Sequence, residues 1–214
     1  MAAVALVAGC GTGESATQPA PATTTTSSAA PRTPAELDVR VKAAMAPPGA
    51  FDSLGGKLAE STPANDGDPG VEHEVVTTVC GNKNPLRVEG GTSVARTRIW
   101  AGGVSLFERV HAMSEVSADL LVRQAQNEVN SCKPYREATE ITANMPIAKP
   151  EGVEDFYAHC EANKDPGTVP WSCHAVMGRG KLIAHVVASG QSQQAAAAQL
   201  TSAVPIFAAP FVKA

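Results

Sequence analysis

Val153-Glu-Asp-Phe-Tyr-Ala-His-Cys160 and Trp171-Ser-Cys-His-Ala-Val-Met177 are the segments from which the fold can be read. Both read as β-strands, rich in aromatic and β-branched residues and separated by a turn-forming stretch. If Cys160 pairs with Cys173 across an antiparallel hairpin, Phe156 falls opposite Met177 and Ala158 opposite Ala175. Side chains alternate along a strand, so these apolar pairs share the face of the sulfurs. The same register places His159 opposite His174 on the other face.

The next strand, Lys181–Ser189, follows the turn at Gly178-Arg179-Gly180. With Leu182, Ala184 and Val186 facing the core beside Met177 and Ala175, His185 joins His174 on the opposite face. Three imidazoles on one sheet face form a candidate ligand-binding or pH-responsive cluster of His159, His174 and His185. Three separate, half-exposed strand residues are the simpler expectation, because no carboxylate is assigned to orient the rings.

Outward from this hairpin, Tyr135–Thr142, Val75–Val79, Val94–Trp100 and Val104–His111 also read as strands. A helix is expected to follow the capping box Thr33-Pro34-Ala35-Glu36, with Leu37, Val41, Ala44 and Met45 on one side and Pro47-Pro48-Gly49 ending it. A second should run from Ala118 to Ser131 behind Ser117, placing Leu121, Ala125, Val129 and Cys132 on one face. A third, Ala-rich helix starts at Gln193 and is expected to stop near Val204, before Pro205. The grouping of helices and strands implies an α+β domain over residues 33–214, an antiparallel β-sheet with helices packed on one face.

Residues 1–9 end in Val7-Ala8-Gly9 before Cys10, a pattern similar to the lipobox of bacterial lipoproteins. The small residues suit a narrow protease site, and the Cys10 thiol is the group that would carry lipid. The expected signal segment is short and the first basic residue is Arg32, so the expectation is a truncated signal segment. Residues 10–32 then form a lipidated cysteine and a Ser/Thr/Pro/Ala tether, too poor in apolar side chains to fold. Lipid anchorage would place the chain on the extracytoplasmic face of a cell membrane, where disulfides persist. The four remaining cysteines, Cys80, Cys132, Cys160 and Cys173, allow three connectivities. The preferred one is Cys160–Cys173 with Cys80–Cys132, giving two disulfides.

Other chemistry is excluded residue by residue. His73-Glu74-Val75-Val76-Thr77 has threonine where a zinc-protease helix needs its second histidine. The acids around Asn65-Asp66-Gly67-Asp68 miss the spacing of a calcium loop and read as a turn. No nucleophile elbow or phosphate loop is present, and the cysteines show no C-x-x-C pair. A net charge of −4 without basic blocks argues against nucleic acid as a partner. The sequence therefore implies no enzyme, no cofactor and no metal.

The helix ending Val129-Asn-Ser-Cys132 and the run Trp171-Ser-Cys-His-Ala-Val-Met-Gly-Arg-Gly-Lys-Leu-Ile-Ala-His-Val-Val187, with its Ala-rich helix behind, resemble the PknH-like extracellular sensor domain of actinobacterial, mycobacterial-type proteins. That resemblance implies an α+β fold, two intramolecular disulfides and a cleft for an unidentified ligand. It makes the expected function that of a non-catalytic envelope lipoprotein of sensor type, binding a small ligand. The alternative is an envelope scaffold or protein-interaction module that uses a surface.

Overall fold

The computed structural model describes residues 33–63, 73–76, 86–88, 91–131, 141–142, 144–163 and 167–214. Cys10, Cys80 and Cys132 lie outside them, and with them the expected lipid site and the Cys80–Cys132 pairing.

An antiparallel seven-stranded sheet forms the centre. Its strands are β1 (Gly56–Pro63), β4 (Ser93–Gly102), β5 (Leu106–Met113), β6 (Ile141–Thr142), β7 (Asp155–Ala162), β8 (Trp171–Arg179) and β9 (Leu182–Gly190). They lie in the order β1-β4-β5-β9-β8-β7-β6, so the last hairpin returns its final strand to the middle, beside β5. A separate hairpin pairs β2 (His73–Val76) with β3 (Leu86–Val88). Strand β1 carries too little alternation in Gly-Lys-Leu-Ala-Glu-Ser-Thr-Pro to be read from sequence. It is held by register against β4 at the sheet edge.

The α+β class is the one the sequence implies, but the three helices divide between the two faces. Helices α1 (Pro34–Ala44) and α3 (Gln193–Phe211) cover the face that carries Trp100, Val110, Ala175, Met177, Ala184 and Val186. Helix α2 (Ala118–Ser131) lays Leu121, Val122, Ala125 and Val129 on the other, against Met113, Tyr157, Val176 and Ile183. A one-face arrangement followed from reading only one apolar side of each strand. Strands β8 and β9 are buried on both sides, as centrally placed strands are.

Helix α1 opens with the expected capping box, in which Thr33 and Glu36 satisfy each other's backbone amides. Helix α3 departs from expectation by continuing through Pro205 and Pro210. A proline inside a helix costs about 3 kcal/mol or more. Beyond Pro205, however, Phe207 and Phe211 are fully buried, each contributing roughly 1.5–3 kcal/mol. Phe207 closes an aromatic cluster with Phe51 and Trp100, at centroid distances of 4.8 and 5.6 Å. Tertiary burial offsets the local penalty.

The same cluster anchors the segment after α1. Trp100 Nε1 donates to the Pro48 carbonyl at 3.0 Å, and Arg98 donates to the Ala46 carbonyl. Ala46 N–H donates to Glu108 Oε1 at 3.1 Å. Glu108 is buried, and loss of solvation pushes its pKa up from 4.5 to about 8, against the pull of the Ala46 amide and Arg98. A raised carboxyl pKa means the fold keeps a proton that the unfolded chain releases, so stability falls as pH rises from 4.5 towards 8 and then levels.

Glu108→Gln keeps an acceptor for Ala46 and removes the ionisable group. Urea titrations at about pH 5 and about pH 8.5 should show the wild type losing more stability than the variant, by on the order of a few kcal/mol. Equal losses in the two proteins would show that Glu108 ionises in the fold at no cost.

Candidate functional site

Strands β7, β8 and β9 meet in the register that the sulfurs dictate. Cys160 and Cys173 form a disulfide with a Cα separation of 4.0 Å, and both are fully buried beneath the start of α3. Phe156 faces Met177, Ala158 faces Ala175 and His159 faces His174. Across the next ladder His185 pairs with Val176, which sets it diagonally beside His174 on the α2 side of the sheet.

All three expected histidines are therefore brought together, as a row of near-parallel rings. His159 and His174 stack at 4.7 Å and 7°, and His174 and His185 at 5.3 Å and 10°. Tyr157 extends the row against His159 at 5.7 Å. At the far end Phe107 meets His185 edge-on, with the Arg109 guanidinium over the Phe107 ring. His174 Nδ1 and His185 Nε2 lie 3.0 Å apart, a hydrogen bond in which the tautomer decides which ring donates.

The row is not half-exposed. His159, His174 and His185 are buried to within 4% of complete, and Glu161 beside them equally so. Part of the reason is α2. The hairpin lies on the same side, with β2 passing against β9 and β3 against α2. Burial holds His159 and His185 well below the ordinary imidazole range, with the neighbouring His174 adding to the effect. His185 is lowered further by His159, Arg109 and His111.

Glu161 is the residue that the sequence reading missed. It stands two residues after His159, so it shares that face by the period-two rule applied to the histidines. Its Oε1 lies 3.3 Å from His174 Nε2. The carboxylate whose absence favoured three unrelated histidines is thus present. His111, also buried on β5, faces Ile183 on this side and was likewise not singled out.

Ring nitrogens remain unsatisfied. Neither Nδ1 nor Nε2 of His159 has a hydrogen-bond partner among the described residues, and His174 Nε2 makes only the 3.3 Å ion-pair approach to Glu161. A buried polar group without a partner costs roughly 1–3 kcal/mol. His159, Glu161 and His174 place one donor atom each within 4.8 Å of one another, the makings of a two-nitrogen, one-oxygen metal set.

An open groove of about 700 Å³ lies on the opposite side of the sheet, between the end of α1 and the end of α3. Ala43, Pro47, Pro205, Ile206 and Pro210 line it, with Lys213 as its charged side chain. It lacks the several converging polar groups that orient a small ligand.

His159→Leu is close to isosteric and removes two unsatisfied nitrogens. Denaturation in the presence of a chelator should show it at least as stable as wild type, by up to about 1–2 kcal/mol. His174→Leu forfeits the bond to His185 and the contact with Glu161, and should lose about 1–3 kcal/mol under the same conditions. A reversed order would mean that His159 is satisfied in the fold.

Comparison with models of protein families, with curated protein sequences and with solved structures finds no match for this chain.

Proposed function

We propose that this chain is a non-catalytic binding domain of the PknH-like sensor type, held on the extracytoplasmic face of a cell membrane by a lipid on Cys10. The observation that carries the binding role is the buried row of His159, His174 and His185 with Glu161. A fold maintaining its own stability would fill these central positions with apolar side chains, as it does on the disulfide's face. Retaining four buried ionisable groups there, one with both nitrogens unsatisfied, is the pattern of a site kept for a ligand.

One further feature supports the reading. The Cys160–Cys173 disulfide suits an oxidising compartment. Glu108, buried on the sheet as well, accepts from the Ala46 amide and so serves a structural role in holding the segment after α1.

Metabolic labelling with an alkyne-tagged palmitate in an actinobacterial host tests the anchor. Wild type should incorporate label and sediment with membranes, and Cys10→Ser should do neither. Equal labelling of the two would remove the lipoprotein assignment. Native mass spectrometry of the released domain should show a bound species that His174→Leu loses; a bare polypeptide mass that instead captures an envelope protein through the groove would favour the interaction module.

A further inference from the structure

The geometry points to a divalent transition-metal site, of the zinc type, formed by His159, Glu161 and His174. This rests on the binding role proposed for the row, and names the class of its ligand.

The donor set suits the ion. Zinc takes imidazole nitrogen and carboxylate oxygen in fourfold coordination, and three protein ligands leave one position for water or a further ligand. The placement follows from strand geometry. His159 and Glu161 are two apart on β7, so both project from one face, and His174 stands directly opposite His159 on β8. Their donor atoms lie within 4.8 Å of one another, and the Glu161–His174 pair is already at 3.3 Å. Metal–ligand bonds of about 2.0–2.2 Å need donors a little over 3 Å apart. Closing the set therefore takes an approach of up to about 1.5 Å at His159 and a turn of its ring out of the parallel stack, so that its in-plane lone pair meets the ion; that ring is held by stacking on Tyr157 and His174 and by no hydrogen bond among the described residues.

The third histidine of the row, His185, supplies the outer support. A ligating imidazole commonly gives its second N–H to a fixed acceptor, which sets the tautomer and aims the lone pair. His174 can do this through Nδ1 to His185 Nε2 at 3.0 Å, leaving Nε2 as the lone-pair nitrogen towards Glu161. In the competing arrangement His174 Nε2–H points to Glu161 and closes that pair without a metal. That arrangement leaves both His159 nitrogens unsatisfied, whereas a metal ion engages one of them and neutralises the buried carboxylate.

The test uses the untagged, oxidised full-length domain, stripped with chelator and titrated calorimetrically with Zn²⁺ and with Co²⁺. Metal is added both to folded protein and during refolding, so that burial of the site does not block entry. The expected result is one equivalent bound, the visible bands of tetrahedral Co²⁺, and a rise in Tm that grows with metal concentration. Glu161→Gln and His159→Leu should stay folded by circular dichroism and lose at least tenfold in affinity. His185→Phe, outside the ligand set, should bind more weakly but keep the Co²⁺ bands. Binding that survives in both ligand variants, or no binding to wild type by either route, overturns the metal site. A non-metal species found on wild type and lost in His174→Leu would do the same while leaving the binding role standing; absence of both metal and small molecule would remove the two together.

Discussion

Everything on this sheet depends on the cross-strand pairing of Cys160 with Cys173. A covalent bond between directly opposed residues leaves β7 and β8 one register, and strand alternation does the rest. Phe156, Ala158, Ala175 and Met177 are committed to the α1 and α3 side, and His159, Glu161 and His174 to the α2 side. A slip of one residue would drive the imidazoles under α3, where Leu200, Val204 and Phe207 form an apolar layer. The bond fixes a chemical difference between two faces that hydrophobicity alone would hold weakly, since Val176 and Ile183 make the second face apolar as well.

The two faces carry different burdens. On the first, Phe51, Trp100 and Phe207 interlock, and Glu108, Arg98 and Trp100 bind the backbone of the segment after α1. Here each polar group serves to place a loop, and the extension of α3 past Pro205 is the cost of completing the core. On the second, α2 supplies apolar cover at one end, while the rest of the surface is given to rings and a carboxylate that stabilise poorly for their volume. The larger apolar core lies on one side of the sheet and the buried histidine row on the other. Such a division lets the second face tolerate unsatisfied groups, because the larger core stabilises the fold from the first.

How much of the site could be read in advance varies residue by residue. The opposition of His159 and His174 is a consequence of two cysteines and the strand period, and His185 follows from one more hairpin. Glu161 obeys the same rule but stands past Cys160, where the sequence pattern ends the strand, whereas β7 continues to Ala162. The burial of the row was illegible. It depends on α2, a segment remote in sequence from the histidines, which does not announce which face it covers.

The division between sequence and tertiary structure is therefore one between local and remote causes. Capping at Thr33 and Glu36, the span of α2, the strands β4, β5, β7, β8 and β9 and the pairing within the last hairpin were determined by the sequence itself. Each follows from hydrogen bonds, side-chain alternation or turn chemistry over a few residues. Which face α2 occupies, the passage of α3 through two prolines, the edge strand β1 and the burial of His159 were decided only when distant segments packed. The free energy of those choices resides in contacts between residues far apart along the chain, which no local pattern encodes.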